Sequence, residues 1–133
     1  MAIKLTIRQP DTEKVAKVIM LDNDRILLLK RKKNQKYPEK WDLPGGHLVV
    51  GEDWEAGATR EVEEETNLKI GNLEFVSKNN NKSFFKTGVW HGQLFSKSEL
   101  PEHDDLMWIS IDKVAELNNL SDIYLSAIRE AFK

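Results

Sequence analysis

Cysteine is absent from the 133 residues of the chain, which excludes a disulfide scaffold, a thiolate metal site and a thiol nucleophile. Long apolar runs are missing as well. The stretches 18–21 and 26–29 hold four apolar residues each, far too few to span a bilayer. Neither sign of charge prevails: 20 Lys plus Arg stand against 22 Asp plus Glu, a formal charge of −2, which argues against a protein that coats nucleic acid through its phosphates. Met1-Ala2-Ile3-Lys4 lacks the apolar core of a signal peptide, so a cytoplasmic location is expected. What is present is a composition of 40% apolar and 32% charged residues, that of a globular chain. The length suits one domain with a real core and is short for two, so residues 1–133 are read as one domain.

The charges are unevenly placed. Residues 30–40 carry six bases and one acid, residues 52–65 carry seven acids and one base, and Glu102, Asp104 and Asp105 form a third cluster. Taken singly, such blocks are ordinary solvated faces. Ile3, Leu5 and Ile7 alternate with polar residues as a half-buried strand does, and Pro10-Asp11-Thr12 is expected to end it. Residues 15–21 and 26–29 read as a hairpin closed by Asp22-Asn23-Asp24, followed by a polar loop over 32–40 and the turn Pro44-Gly45-Gly46. A helix is expected over 53–66, with Asp53 as N-cap and Asn67 as the left-handed residue that ends it. Further strands are expected over 73–77, 84–95 and 107–111, with Trp41 and Trp108 in the sheet core. Ser121 should cap a last helix that buries Ile123, Ala127, Ile128, Ala131 and Phe132 on one face. Strands with two interspersed helices predict an α/β (α+β) class, a mixed sheet flanked by helices.

The helix over 53–66 carries the chemistry. At 100° per residue, Glu61, Glu64 and Glu65 fall at about 0°, 300° and 40° on one narrow face, while Glu63 points away at about 200°. Like charges at these spacings each cost a helix roughly 0.2–0.5 kcal/mol, and Arg60 brings one positive charge against three negative ones. A hard divalent cation such as Mg²⁺ or Mn²⁺ would relieve the repulsion. Mg²⁺ commonly completes its shell with substrate phosphates.

Residues 46–68 resemble the signature of the Nudix hydrolase superfamily, G-x5-E-x7-R-E-U-x-E-E-x-G-U with U aliphatic. Gly46, Glu52, Arg60, Glu61, Val62, Glu64, Glu65 and Leu68 match in register, and Asn67 stands where Gly is usual. Asn is the next-best residue at a left-handed helix end, so the departure costs little. The resemblance implies an α/β/α sandwich and hydrolysis of a nucleoside diphosphate linked to another moiety. It implies Mg²⁺ or Mn²⁺ held by Glu61, Glu64, Glu65 and the carbonyl of Gly46. Glu61 or Glu102 would be the general base, and Glu52 would pair with Arg60.

Arg31 is expected to meet substrate phosphate through its bidentate fork, and Phe84, with Phe85 and Trp90 as alternatives, to stack on a nucleobase. His103 alone among the histidines lies near the expected site. Counting on from Asn67 reaches Ser83 and Phe84, where ADP-ribose hydrolases tend to have Pro and dinucleoside polyphosphate hydrolases Tyr. Neither marker is present. The expected activity is therefore a (d)NTP pyrophosphohydrolase releasing NMP and pyrophosphate, with an ADP-ribose or nucleotide-sugar pyrophosphatase as alternative. A catalytically silent nucleotide- or RNA-binding domain is the alternative outside the enzyme class. A small nucleotide is the expected partner, no membrane or stable nucleic-acid complex is expected, and a homodimer is left open.

Overall fold

In the computed structural model, which describes residues 9–33 and 38–133, one long strand organises the rest. β1 (Pro10–Asp22) begins at Pro10 and includes Pro10-Asp11-Thr12, where a break was expected, because β4 (Gly45–Val49) pairs with it and places Pro10 opposite Val49, the register shifting between Pro10 and Val15. The strand expected over Ile3, Leu5 and Ile7 lies outside the described residues. From Val15 to Met20 every side chain of β1 is buried, since helices cover both faces.

The turn at Asn23, with φ of 57°, reverses the chain into β2 (Arg25–Arg31). β3 (Trp41–Asp42) pairs with one edge of β2. α1 (Trp54–Thr66) follows β4, and β5 (Lys69–Gly71), β6 (Glu74–Asn79), β7 (Lys82–Thr87) and β8 (Val89–His91) follow α1. After one 3₁₀ turn come β9 (His103–Ser110), the short α2 (Ile111–Val114) and α3 (Asp122–Ala131). β7 runs parallel to β1 and antiparallel to β6, β9 runs antiparallel to β2, and β5 and β8 make a separate two-stranded ribbon. The result is the expected mixed sheet between helices.

Alternation divides the core. Val18, Met20, Leu27 and Phe85 face α1 with Ala58 and Val62, whereas Ile19, Ile26, Leu28 and Phe84 face α3 with Ala127, Ile128 and Ala131. Three expectations change. The stretch 84–95 is two strands and a loop, because Gly88 interrupts it and Thr87 caps the break, its hydroxyl accepting from Val89 N at 3.0 Å and donating to the Gly71 carbonyl. Ile123 and Phe132 sit at the ends of α3 and are each 38% exposed. Trp41 and Trp108 lie at the fringes of the two clusters rather than within them. Among the described residues, no helix is long and apolar enough to cross a membrane.

α1 is delimited by its own sequence. Asp53 accepts a hydrogen bond from Ala56 N at 2.8 Å, and Asn67 closes the helix at φ 69° with its backbone N–H on the Glu63 carbonyl. The Asn67 side chain also donates to the Gln93 carbonyl at 2.9 Å, tying the helix end to the following loop. Asn67→Ala should therefore cost about 1–2 kcal/mol, the penalty of a left-handed L-residue plus that hydrogen bond. Asn67→Gly, which keeps the backbone freedom, should lose about 1 kcal/mol or less. Urea denaturation of both variants checks the order, and equal losses would mean that the side-chain bond, not the backbone, sets the cost.

Candidate active site

The turn before α1 is built by close backbone approach. Gly45 has φ of 133°, and a Cβ there would stand 2.0 Å from the Ala16 carbonyl oxygen, so only glycine fits between β1 and β4. A Cβ on Gly46 would fall 2.7 Å from Oε2 of Glu61, which brings the backbone of β4 against the carboxylate face of α1.

Arg60 ties that face together. Its Nε donates to Glu52 Oε2 at 2.9 Å and its Nη2 to Glu52 Oε1 at 3.0 Å, while Nη1 reaches Glu61 at 3.1 Å and Glu64 at 3.2 Å. Nη2 also reaches the His47 carbonyl at 3.3 Å, which engages all five N–H groups of the guanidinium. Glu52 in turn accepts from Val49 N at 3.0 Å, so the loop is fastened to the helix. The hydrogen bonds it donates to Glu52, and then the charges of Glu61 and Glu52, hold the guanidinium above its ordinary pKa against the effect of burial. The repulsion among the glutamates is thus relieved in part without a cation. One guanidinium is shared among three carboxylates.

Glu65 lies deeper. It is 6% exposed, its Oε1 accepts from Gly45 N at 2.7 Å, and its Oε2 stands 3.9 Å from Nε2 of His103. Burial pushes its carboxyl up to about 8, against the opposing pull of Lys17 and the Gly45 N–H. Burial also raises Glu61, with Glu64 and Glu102 adding to the effect and Arg60 opposing it. His103 is pushed the other way, to about 4, by burial and by the cations Lys17, Arg31 and Lys32, although Asp42 opposes. It is therefore neutral at pH 7, and its Nδ1 is buried without a hydrogen-bond partner.

A cavity of about 560 Å³ joins these groups. Glu61, Glu64, Glu65, Glu102 and Gly46 line its acidic side, and Lys17, Arg31 and Lys82 bring positive charge to it. Asp42, 2% exposed, sits between two of these cations, 3.0 Å from Lys17 and 3.2 Å from Arg31. Burial would raise the Asp42 carboxyl, but the charge and hydrogen bond of Lys17, together with His103 and Arg31, hold it below the usual range.

The donor set suits a hard divalent cation. Its glutamates offer carboxylate oxygens, the backbone of Gly46 lies against Glu61, and the guanidinium of Arg60 is fully engaged. Among the described residues no three His, Asp or Glu side chains stand together closely enough to hold a metal ion by themselves. A cation here would complete its shell from water or from a phosphate.

The sequence-derived site residues Gly46, Glu61, Glu64, Glu65, Glu102 and Arg31 line this one cavity, and Glu52 meets Arg60 beside it. Glu63 does not line it. The aromatic expectations fail. Phe84 is 1% exposed, packed edge-on against Tyr124 at 5.8 Å, and cannot stack on a base because its place in β7 turns it into the core under α3. Phe85 is buried on the opposite face, and Trp90 stacks on Trp108 at 5.4 Å while donating Nε1 to the Leu21 carbonyl. Lys17, Asp42 and Tyr124 were missed. The signal for Lys17 was available, a lone charge within the apolar run 15–21.

Comparison with known proteins bears on the family and the fold. The family model for the NUDIX domain matches residues 11–129. The chain is similar to an RNA pyrophosphohydrolase of Pelagibacter ubique, 26% identical over 125 residues, covering 75% of this chain and 77% of that one. It is also similar to an 8-oxo-dGTP diphosphatase of Buchnera aphidicola, 27% identical over 106 residues, covering 75% and 78%. The fold superposes on a MutT NUDIX hydrolase of Burkholderia pseudomallei with a TM-score of 0.75 at 21% identity, covering 87% of this chain and 95% of that one.

Arg60→Ala should destabilise the protein by about 2 kcal/mol, because it leaves half-buried Glu52 and Glu61 without their cation. Glu63→Gln, outside the cavity, should stay within about 0.5 kcal/mol of wild type. Guanidinium chloride melts without added metal check both. Equal losses would show that charge count on the helix matters more than the Arg60 geometry.

Proposed function

The chain belongs to the NUDIX family and is a pyrophosphohydrolase of that family, and from this premise we propose that it cleaves a (d)NTP into NMP and pyrophosphate. The observation that carries the reading is the mixed lining of one cavity, where Glu61, Glu64 and Glu65 share a space large enough for a triphosphate with Arg31 and Lys82. The similarity to an enzyme named 8-oxo-dGTP diphosphatase supports a nucleoside triphosphate substrate.

Glu61, Glu64, Glu65 and the Gly46 carbonyl would hold Mg²⁺ or Mn²⁺. When bound, the cation supplies charge neutralisation at phosphoryl oxygens and lowers the pKa of water. The residues of the chain do the remainder. Glu61, or Glu102 in the same acidic lining, takes the proton of the attacking water. The water oxygen bonds to phosphorus as the bond between the bridging oxygen and that phosphorus breaks, and pyrophosphate separates from the nucleoside monophosphate. Arg31 lines the cavity while its Nη1 donates to Asp42, and its guanidinium would bind a phosphate of the substrate.

An adjoining cavity of about 420 Å³ shares Arg31, Asp42, Lys82 and Tyr124 with the first. Trp41, Tyr124 and Ile123 give it apolar walls, and it takes the nucleoside half that Phe84 cannot. A small nucleotide in the cytoplasm completes the reading.

Incubating the protein with Mg²⁺ and a panel of dNTPs, NTPs, ADP-ribose and 5′-triphosphorylated RNA tests it, with pyrophosphate and orthophosphate followed separately. Pyrophosphate release from a free triphosphate, abolished by excess EDTA and reduced at least about a hundredfold in Glu64→Gln, is the expected result. Turnover confined to the RNA or to ADP-ribose would replace the substrate. Undiminished turnover in excess EDTA would remove the cation from the mechanism.

A further inference from the structure

Lys17 is a charged residue within the buried run 15–20 of β1, which is otherwise Val, Ala, Ile and Met, and it is 6% exposed. Burying an ammonium costs several kcal/mol unless it is paired and its donors are satisfied. Here they are: Nζ donates to Asp42 Oδ2 at 3.2 Å, to the Leu43 carbonyl at 3.3 Å and to the Gly45 carbonyl at 3.5 Å. An ammonium has three N–H groups, so none is left for a substrate.

The targets form one short segment. Lys17 holds residues 42–45 from the side of β1, and Val18 N donates to the Pro44 carbonyl at 2.8 Å immediately beside it. Gly45 is gripped from both ends, its carbonyl by Lys17 and its N–H by Glu65 at 2.7 Å. The next peptide carries the Gly46 carbonyl. The grip on Gly45 also decides which oxygen of Glu65 remains turned towards the cavity, since Oε1 is spent on Gly45.

We propose that Lys17 is a positioning residue of the cation site: by clamping residues 42–45 it sets the Gly46 carbonyl and the Glu65 carboxylate in the places from which they bind a divalent ion. The inference rests on the reading of the α1 glutamates as cation ligands. Lys17 touches neither cation nor substrate and acts through Gly45.

The test measures Mn²⁺ binding in the absence of nucleotide, by the loss of the free-ion paramagnetic resonance signal, beside kcat and KM. Lys17→Met keeps length and apolar volume but leaves buried Asp42 with Arg31 as its remaining cation, so the double variant Lys17→Met/Asp42→Asn, which removes that buried charge as well, is measured with it. Both should bind Mn²⁺ at least about tenfold more weakly than wild type and lose kcat to a similar degree, as expected when the support of a metal ligand is removed. KM for the nucleotide should stay within about threefold.

Mn²⁺ affinity within about threefold of wild type in the folded double variant would overturn the proposal, reducing Lys17 to a structural residue. A raised KM with unchanged Mn²⁺ affinity would overturn it in favour of a substrate contact. A wild-type protein that binds no Mn²⁺ would remove the cation site and this inference together. One that binds Mn²⁺ but turns over no nucleotide would discard the proposed substrate, while the loss of Mn²⁺ affinity in the variants would still uphold the role of Lys17.

Discussion

Repulsion among carboxylates packed around a single guanidinium is the constraint to which the site is built. Glu52, Glu61 and Glu64 all reach Arg60, and Glu65 sits behind them almost wholly buried. Such an arrangement is costly in a resting protein. It survives because the fold supplies partial compensation from three directions: the fork of Arg60, the N–H of Gly45 and the field of Lys17. What remains uncompensated is a concentrated negative surface on one wall of a cavity, and this is the chemistry that a hydrolase of phosphoanhydrides needs from a protein.

The compensating groups are also the structural joints. Arg60 fastens the loop before α1 to the helix through Glu52, and Glu52 reaches back to β4 through Val49. Lys17 fastens β1 to the segment entering β4. The same contacts that moderate the charge fix the distance between the helix face and the Gly46 backbone. Stability and geometry of the site are therefore coupled, and damage to Arg60 or Lys17 should reach both.

Much of this was legible in the sequence wherever the determinants are local. The caps of α1, Asp53 and Asn67, bond within a few residues of themselves, and the carboxylate face follows from helical periodicity alone. Apolar runs joined by a turn located β1 and β2, and alternation over 84–95 says only that neighbours face opposite ways, not which face covers what. Phe84 was misread for that reason: the parallel pairing of β7 with β1 turns it under α3. Lys17, Asp42 and Tyr124 escaped because they come from three separated segments that meet only through strand register and helix docking. The break at residue 88 was hidden because its cap, Thr87, bonds to Gly71 in another strand.

The central claim, that the acidic face of α1 is a divalent-cation site, is tested most directly by thermal melting across a Mg²⁺ titration, without nucleotide. A ligand that binds the folded state alone raises the melting temperature with concentration. Wild type should show that rise, and the triple variant Glu61→Gln/Glu64→Gln/Glu65→Gln, with its carboxylates neutralised, should melt at the same temperature at every Mg²⁺ concentration. An equal rise in both proteins, or none in wild type, would contradict the claim.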